Sequence, residues 1–360
     1  MATVERGFLL LADLTGYTAY LASGELAHAP VIAGDLLETV VGRLEPPFRL
    51  AKLEGDAAFL FAEDGRAEPA LLLDAVVASY LAFRRRLRSI EAASACDCSA
   101  CALAPRLDLK AFVHHGDYLR STIAGRDELS GADVIVAHRL LKGAGAASAA
   151  GRGFVLFTEP AAEALGLDRA TATLVAGNES IEHLGDVATL TLDLEERWAA
   201  EAGARRIDDT TGLTLFAVTV DLDAPPATVW AQLTSPGARP AWEGPLEITE
   251  TLVDGMRGVG GTARCVTGRL ATIEEIVDWA PYEHVGRRVA VPGLGAVETS
   301  HDLEPVDGGT RLTVRWRSGM PPTDKDAVER SRLDTEAALG RLRQVVGRGL
   351  AVLQGVEVTR

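Results

Sequence analysis

Two short runs near the start of this chain place acidic side chains where they could act on a phosphate-bound metal. L-A-D-L-T-G-Y-T (Leu11 to Thr18) puts Asp13 just before a Gly turn, and A-K-L-E-G-D (Ala51 to Asp56) puts Asp56 directly after Gly55, with Lys52 four residues upstream. Two carboxylates at neighbouring strand ends offer a hard divalent cation anionic oxygens while leaving positions open for phosphate. The plainer reading, turn or cap residues, is the common fate of an Asp beside Gly. Both runs together favour a nucleotide site.

A second cluster, Cys96-Asp97-Cys98-Ser99-Ala100-Cys101, holds the C-x-x-C spacing that lets two thiolates grip one tetrahedral ion. Three thiolates plus Asp97, His114 or His115 would complete a structural zinc site. A reduced, unligated loop is the alternative, and an exposed trio of thiols would be an oxidation liability.

The elements that must position these groups follow from hydrophobic patterning. Phe8 to Leu14 is an apolar run ended by a turn, a buried strand. A helical region from Thr18 to Leu44 breaks near Ala29-Pro30 and closes before Pro46-Pro47. Phe48 to Leu53 and Ala57 to Phe61 form a hairpin with the acid at its tip. Glu68 to Ile90 is a long amphipathic helix, with Leu72, Val76, Tyr80 and Leu87 at helical spacing. Leu107 to His114 is a strand with which Tyr118 to Ile123 pairs, and Ala132 to Leu141 is a helix. One of His114 and His115 faces inward as a core histidine. This order implies an α+β sheet with helices packed on one face.

The polar stretch from Ala199 to Gly212 marks a boundary, dividing residues 1–198 from 213–360 with 199–212 as linker. Beyond it Leu213 to Leu222 is a strand, Pro226 to Leu233 a short helix, and Leu246 to Trp316 a series of strands at hairpin spacing. Leu339, Leu342, Val346, Leu350 and Leu353 then recur at steps of three and four along a closing helix. An antiparallel sheet around that helix is the economical way to bury the stripe.

Composition bounds the task. The 360 residues are 47% hydrophobic and 24% charged, an ordinary globular balance. Lys plus Arg number 36 against 51 Asp plus Glu, so the net charge of −15 argues against a nucleic-acid partner. No apolar stretch is long enough to span a bilayer, and the first residues lack a secretion signal, which leads us to expect a cytoplasmic protein. The scarce cysteines fit a reducing compartment.

On these motifs, residues 5 to 195 resemble the class III nucleotidyl cyclase catalytic domain, in a divergent bacterial branch. The resemblance implies a ferredoxin-like α+β fold in which Asp13 of D-x-x-G-[FY]-T and Asp56 of K-x-x-G-D bind Mg²⁺ or Mn²⁺, assisted by the carbonyl of Leu14. Backbone amides around Gly16, Tyr17 and Thr18 would cradle phosphate. Lys52 falls on a base-contacting position, and Glu128 near the second one. F-V-H-H-G-D (Phe112 to Asp117) matches the strand ending in His-x-Gly. G-A-D-V-I-V-A-H-R-L (Gly131 to Leu140) matches the helix whose Arg, here Arg139, stabilises the transferring phosphate. The implied partners are a nucleoside triphosphate, ATP favoured, and a second copy of the chain, since such sites are shared across a head-to-tail homodimer. Ile135 stands where the family's helix carries an Asn, and E-H-L-G-D-V-A (Glu182 to Ala188) lacks the late triphosphate-binding Lys, with His183 a weak substitute. Slow or absent turnover is therefore expected.

From about 213 to 355 the chain resembles the START-like, polyketide-cyclase (SRPBCC) helix-grip superfamily. The carrying residues are V-D-L-D-A-P-P-A-T-V-W-A-Q-L-T-S-P (Val220 to Pro236), R-P-A-W (Arg239 to Trp242), D-G-G-T-R-L-T-V-R-W (Asp307 to Trp316) and the final helix. The resemblance implies a small hydrophobic ligand between sheet and helix. Arg264, Glu274, His284, Glu298 and His301 are the polar candidates to face it, about half of which strand alternation turns away. Trp230, Trp242 and Trp316 read as core. The combined expectation is a signalling protein with a nucleotide-binding cyclase-like domain and a ligand-sensing domain. The alternatives are a cyclase fold serving only as dimerisation scaffold, or a lipid or polyketide-binding protein that the first domain regulates.

Overall fold

The computed structural model describes residues 3–23, 28–93, 99–123, 125–143, 153–170, 173–181, 184–203, 212–244, 247–253, 255–268 and 270–353. The chain divides into two compact units, residues 1–202 and 203–360.

In the first unit, β1 (Thr3–Thr15) runs through the middle of an eight-stranded mixed sheet. After α1 (Tyr17–Ser23) and α2 (Ala29–Leu44) come the hairpin β2 (Arg49–Glu54) and β3 (Ala57–Glu63), then α3 (Pro69–Ala93) and the short α4 (Ser99–Leu103). β4 (Asp108–Ile123), β5 (Arg126–Ser130), α5 (Ala132–Gly143), β6 (Phe154–Thr158), α6 (Glu159–Leu165), β7 (Leu174–Ile181), β8 (Gly185–Asp193) and α7 (Leu194–Gly203) complete it. The strand order is β2-β3-β1-β4-β6-β8-β7, with β5 on the end of β4.

Two expectations change here. Leu107 to Ile123 is no hairpin: β4 is one continuous strand, antiparallel to β1 from Thr15↔Asp108 to Thr3↔Arg120. A 13-residue partner strand supplies ladder bonds along that whole length, so the H-H-G-D run has no reason to turn. Nor are the helices confined to one face. Leu9 and Leu11 pack with Phe112 and with Val134, Val136 and Leu140 of α5. Leu10, pointing the other way, is equally buried, and α2 and α3 pack on each other and meet β3 and β4. The unbroken apolar run of β1 is what burial on both faces requires.

The second unit is a seven-stranded antiparallel sheet with order β10-β11-β12-β13-β14-β15-β9. Its elements are β9 (Leu213–Leu222), α8 (Pro226–Thr234), α9 (Pro240–Glu243), β10 (Glu247–Thr251), β11 (Thr262–Thr267), β12 (Leu270–Ala280), β13 (His284–Val291), β14 (Gly295–Val306), β15 (Gly309–Ser318) and α10 (Lys325–Leu353). Asp324 starts α10 by accepting a hydrogen bond from the Ala327 amide at 2.9 Å. Leu339, Leu342 and Val346 of its stripe are buried, and the helix meets β9, α8 and α9.

Candidate functional sites

The fold brings the two acidic motifs to one place. Asp13 lies next to last in the buried part of β1, opposite Ala57, the residue after Asp56, and the Leu14 amide donates to the Asp56 carbonyl at 3.2 Å. Gly55, in the left-handed region at φ 69°, lets the hairpin turn tightly enough to carry Asp56 at its tip. Asp13 is only 9% exposed. Burial raises its carboxyl pKa, Lys110 opposes that rise, and Asp56 reinforces it. Lys110, opposite Asp13 on β4, places Nζ 3.2 Å from Asp13 Oδ2, a partner that sequence reasoning missed because it comes from a distant strand.

The donor set fits a hard divalent cation: two carboxylates and the Leu14 carbonyl are oxygen ligands of the right kind. Among the described residues, no three His, Cys, Asp or Glu side chains gather to hold a metal by themselves. A two-carboxylate site of this sort takes its remaining ligands from water and phosphate. Gly16, at φ 88°, lets α1 begin with Tyr17 immediately after β1. Tyr17 is half-buried and Thr18 exposed.

Lys52 and Glu128 also meet, at 3.7 Å, joining β2 to β5. Lys52 is held more closely by Glu54 at 2.9 Å, and Glu54 reaches His138 of α5 at 3.2 Å. The resulting line of polar contacts ends one residue before Arg139, which is exposed on α5. Ile135, one turn earlier, is 53% exposed.

The His-x-Gly strand and the G-A-D helix prove to be one assembly. His114 bonds Thr158 Oγ1 through Nδ1 at 2.9 Å and Asp133 Oδ1 through Nε2 at 3.2 Å. The Asp117 amide donates to Asp133 Oδ2 at 2.7 Å. Burial lowers the pKa of His114 against the pull of Asp133. His115, on the opposite face, bonds Asp64 at 3.0 Å. Both histidines are buried, where one was expected, because each face of β4 is covered.

Neither histidine is thus free to be a fourth zinc ligand. Cys96, Asp97 and Cys98 lie outside the described residues, as do Glu182 and His183. Cys101 Sγ stands 3.8 Å from His28 Nδ1, a neighbour that the sequence spacing did not suggest.

In the second unit a cavity of about 380 Å³ lies between the sheet and α10, within the range of small-molecule sites. Of the five polar candidates, Glu274 and His301 line it. Arg264 points to solvent, Glu298 pairs with Arg288, and His284 is locked between Asp278 and Asp302 at 3.2 and 2.5 Å. Strand alternation accounts for the split. Trp230 is core, whereas Trp242 and Trp316 form cavity wall. Arg239, 4% exposed, gives Glu243 two bonds of 2.8 and 2.9 Å and Glu274 one of 2.9 Å. Buried Arg287 donates to the Leu233 carbonyl at 2.6 Å and stands 3.7 Å from Glu274.

Comparison with known proteins divides along the same lines. Residues 33–148 match a family described as a protein of unknown function (DUF2652). A curated relative, the uncharacterized protein Rv2561/Rv2562 of Mycobacterium tuberculosis, is 37% identical over 107 residues, 30% of this chain and 50% of that protein. The chain thus spans about half the length of the curated relative it matches. The crystal structure of the adenylyl cyclase CyaB from P. aeruginosa is similar at 15% identity and a TM-score of 0.40, over 53% of this chain and 95% of that one. The solution structure of the Aha1 dimer from Colwellia psychrerythraea is similar at 18% identity and a TM-score of 0.32, over 36% of this chain and 94% of that one. Residues 214–347 match the family described as polyketide cyclase / dehydrase and lipid transport, and the N-terminal half has nucleotidyl cyclases among its structural neighbours.

Proposed function

We propose that this is a two-site signalling protein: the first unit binds a nucleoside triphosphate with Mg²⁺ or Mn²⁺, and the second senses a small hydrophobic molecule. The observation that carries the first half is the meeting of Asp13 and Asp56 at adjoining strand ends. They would hold the metal with the Leu14 carbonyl, and the metal would neutralise triphosphate charge and activate a ribose hydroxyl. The amides of Gly16, Tyr17 and Thr18 would receive phosphate, Lys52 and Glu128 the base, and Arg139 the phosphate in a second copy of the chain. Weak conversion of ATP to cyclic AMP is the catalytic form of this reading. The second half is supported by the cavity against α10 and by the family match over residues 214–347.

Isothermal titration with ATP and Mn²⁺, run beside a cyclic-nucleotide assay, tests the nucleotide site. Binding that Asp13→Ala and Asp56→Ala each abolish is expected. Absence of binding, or binding indifferent to both substitutions, overturns it.

A specific contact favours a second reading, in which the cyclase-like unit is only a dimerisation scaffold. Lys110 already offers Asp13 a cation, and exposed Ile135 offers a ribose nothing. Sedimentation showing a dimer with no nucleotide bound would select it. For the cysteines, a zinc ion on Cys96, Cys98 and Cys101 would find a fourth ligand in His28. Elemental analysis of wild type and His28→Ala decides: one zinc per chain in the first and a loss in the second.

A further inference from the structure

The cavity of the second unit has an apolar body. Val289, Val291, Val314, Leu339, Trp242 and Trp316 form its apolar part, and the hydroxyl residues Thr272, Thr299, Ser331 and Thr335 line it as well. His301 is the imidazole in that wall. It sits on β14 among the inward-facing Val297, Thr299 and Leu303, with Val285 and Val314 as its cross-strand neighbours. Neither neighbour can hydrogen-bond it. Its Nδ1 is buried without any hydrogen-bond partner, and the residue is 91% removed from solvent yet forms part of the cavity wall. A buried polar atom left unpaired costs about 1–3 kcal/mol, and proteins rarely leave one so without a reason.

The surrounding charges narrow what could serve His301. Two guanidinium groups, Arg239 and Arg287, border the cavity, and both are committed: Arg239 to Glu243 and Glu274, Arg287 to the Leu233 carbonyl and Glu274. Two cations and two carboxylates cancel, leaving no uncommitted cation for an anionic head group. Asp334, exposed on the α10 side of the wall, adds a negative charge. A carboxylate ligand would meet repulsion there and would have to break a buried ion pair to be neutralised. Burial, with Arg287 and Arg239 nearby, also holds the His301 pKa well below the usual imidazole range. Its ring is therefore neutral, with one N–H donor and one acceptor nitrogen.

We infer, resting on the ligand-binding reading of this cavity, that its occupant is an apolar ring-sized molecule bearing one neutral hydrogen-bonding group. A phenol, alcohol or ketone fits where a carboxylate does not, and His301 is the residue that meets that group. It acts as a specificity determinant, ranking ligands of equal shape by their polar substituent.

Three probes with one shared apolar skeleton test this on the full-length chain at neutral pH: naphthalene, 2-naphthol and 2-naphthoate, measured by equilibrium dialysis. A purely apolar cavity ranks naphthalene first, because the hydroxyl of naphthol favours water. The inference requires the opposite order, naphthol about tenfold tighter than naphthalene, with naphthoate weakest. His301→Phe should keep naphthalene binding, which reports an intact fold, and lose the naphthol preference. His301→Gln, able to donate and accept, should keep the preference. Naphthol no better than naphthalene in wild type, naphthoate the tightest of the three, or a naphthol preference surviving in His301→Phe would each overturn the inference while leaving the cavity reading standing. Absence of binding by all three would remove the cavity reading and this inference with it.

Discussion

Lys110 Nζ lies 3.2 Å from Asp13 Oδ2, the two residues directly opposed in the β1–β4 ladder. An ammonium thus neutralises part of the charge that a divalent cation would be drawn to. Lys110→Met keeps an unbranched apolar chain at this position and removes that charge, together with its contact 6.0 Å from the Phe112 ring centroid. Mn²⁺ affinity, followed by the loss of free Mn²⁺ signal in electron paramagnetic resonance, is expected to rise about tenfold or more, a modest fraction of the Coulomb energy available at such distances. Unchanged affinity in the variant would place any bound Mn²⁺ away from Asp13.

The Gly116 site allows no side chain. A Cβ there would lie 2.3 Å from Asp133 Oδ2 and 2.7 Å from Asp133 Cβ, and Asp133 would have to leave both His114 and the Asp117 amide. Gly116→Ala should cost about 1–3 kcal/mol of stability, read as a lower melting temperature. Gly7, its cross-strand partner, is tighter still, since its Cβ would meet the Ala62 carbonyl oxygen at 2.1 Å. That contact is backbone and cannot swing aside, so Gly7→Ala is expected to be the worse of the two.

Stability of the second unit should fall in alkaline solution. Burial disfavours the charged form of His284, but the carboxylates of Asp278 and Asp302 beside it outweigh that and push the pKa up to about 9. Arg315 of β15 and Ser300 also contact Asp302, so the imidazolium sits between two carboxylates with one guanidinium beyond. A folded-state pKa above the unfolded value of 6.5 contributes stability that is complete below about pH 6.5. It is lost as pH rises through about 9, a change of about 3 kcal/mol. Urea midpoints between pH 6 and 10 should show the drop, and His284→Gln should flatten it.

Arg239 is the cation on which two carboxylates depend. Replacing it with Met leaves buried Glu274 with Arg287, 3.7 Å away, as its remaining cation, and a destabilisation of about 3–5 kcal/mol is expected. Four of the five tryptophans (Trp230, Trp242, Trp279 and Trp316) lie in this unit, so the shift should appear in denaturation followed by their emission.

Local patterning made much of the fold legible. The Phe8 to Leu14 run, the β2–β3 hairpin about Gly55 and the apolar stripe of α10 are each local signals, and each element stands where its pattern put it. The H-H-G-D run misled because a Gly beside an Asp signals a turn. Here Gly116 serves instead to admit Asp133 from α5, a requirement set by a residue 17 positions away. His28 beside Cys101 is the same kind of miss, a 73-residue separation closed only by packing.

From the amino-acid order alone came the two-unit plan, the pairing of Asp13 with Asp56 as acids worth watching, and the choice of Glu274 and His301 among residues to test. Periodicity and turn chemistry act within a few residues, so such features survive in one dimension. Which cation answers Asp13, which face each histidine takes, and that Arg239 and Arg287 are spent on Glu243 and Glu274 were decided by strand order and register. Those depend on contacts between distant segments, where a hydrogen bond or an ion pair exists only once the backbone has brought its two ends together.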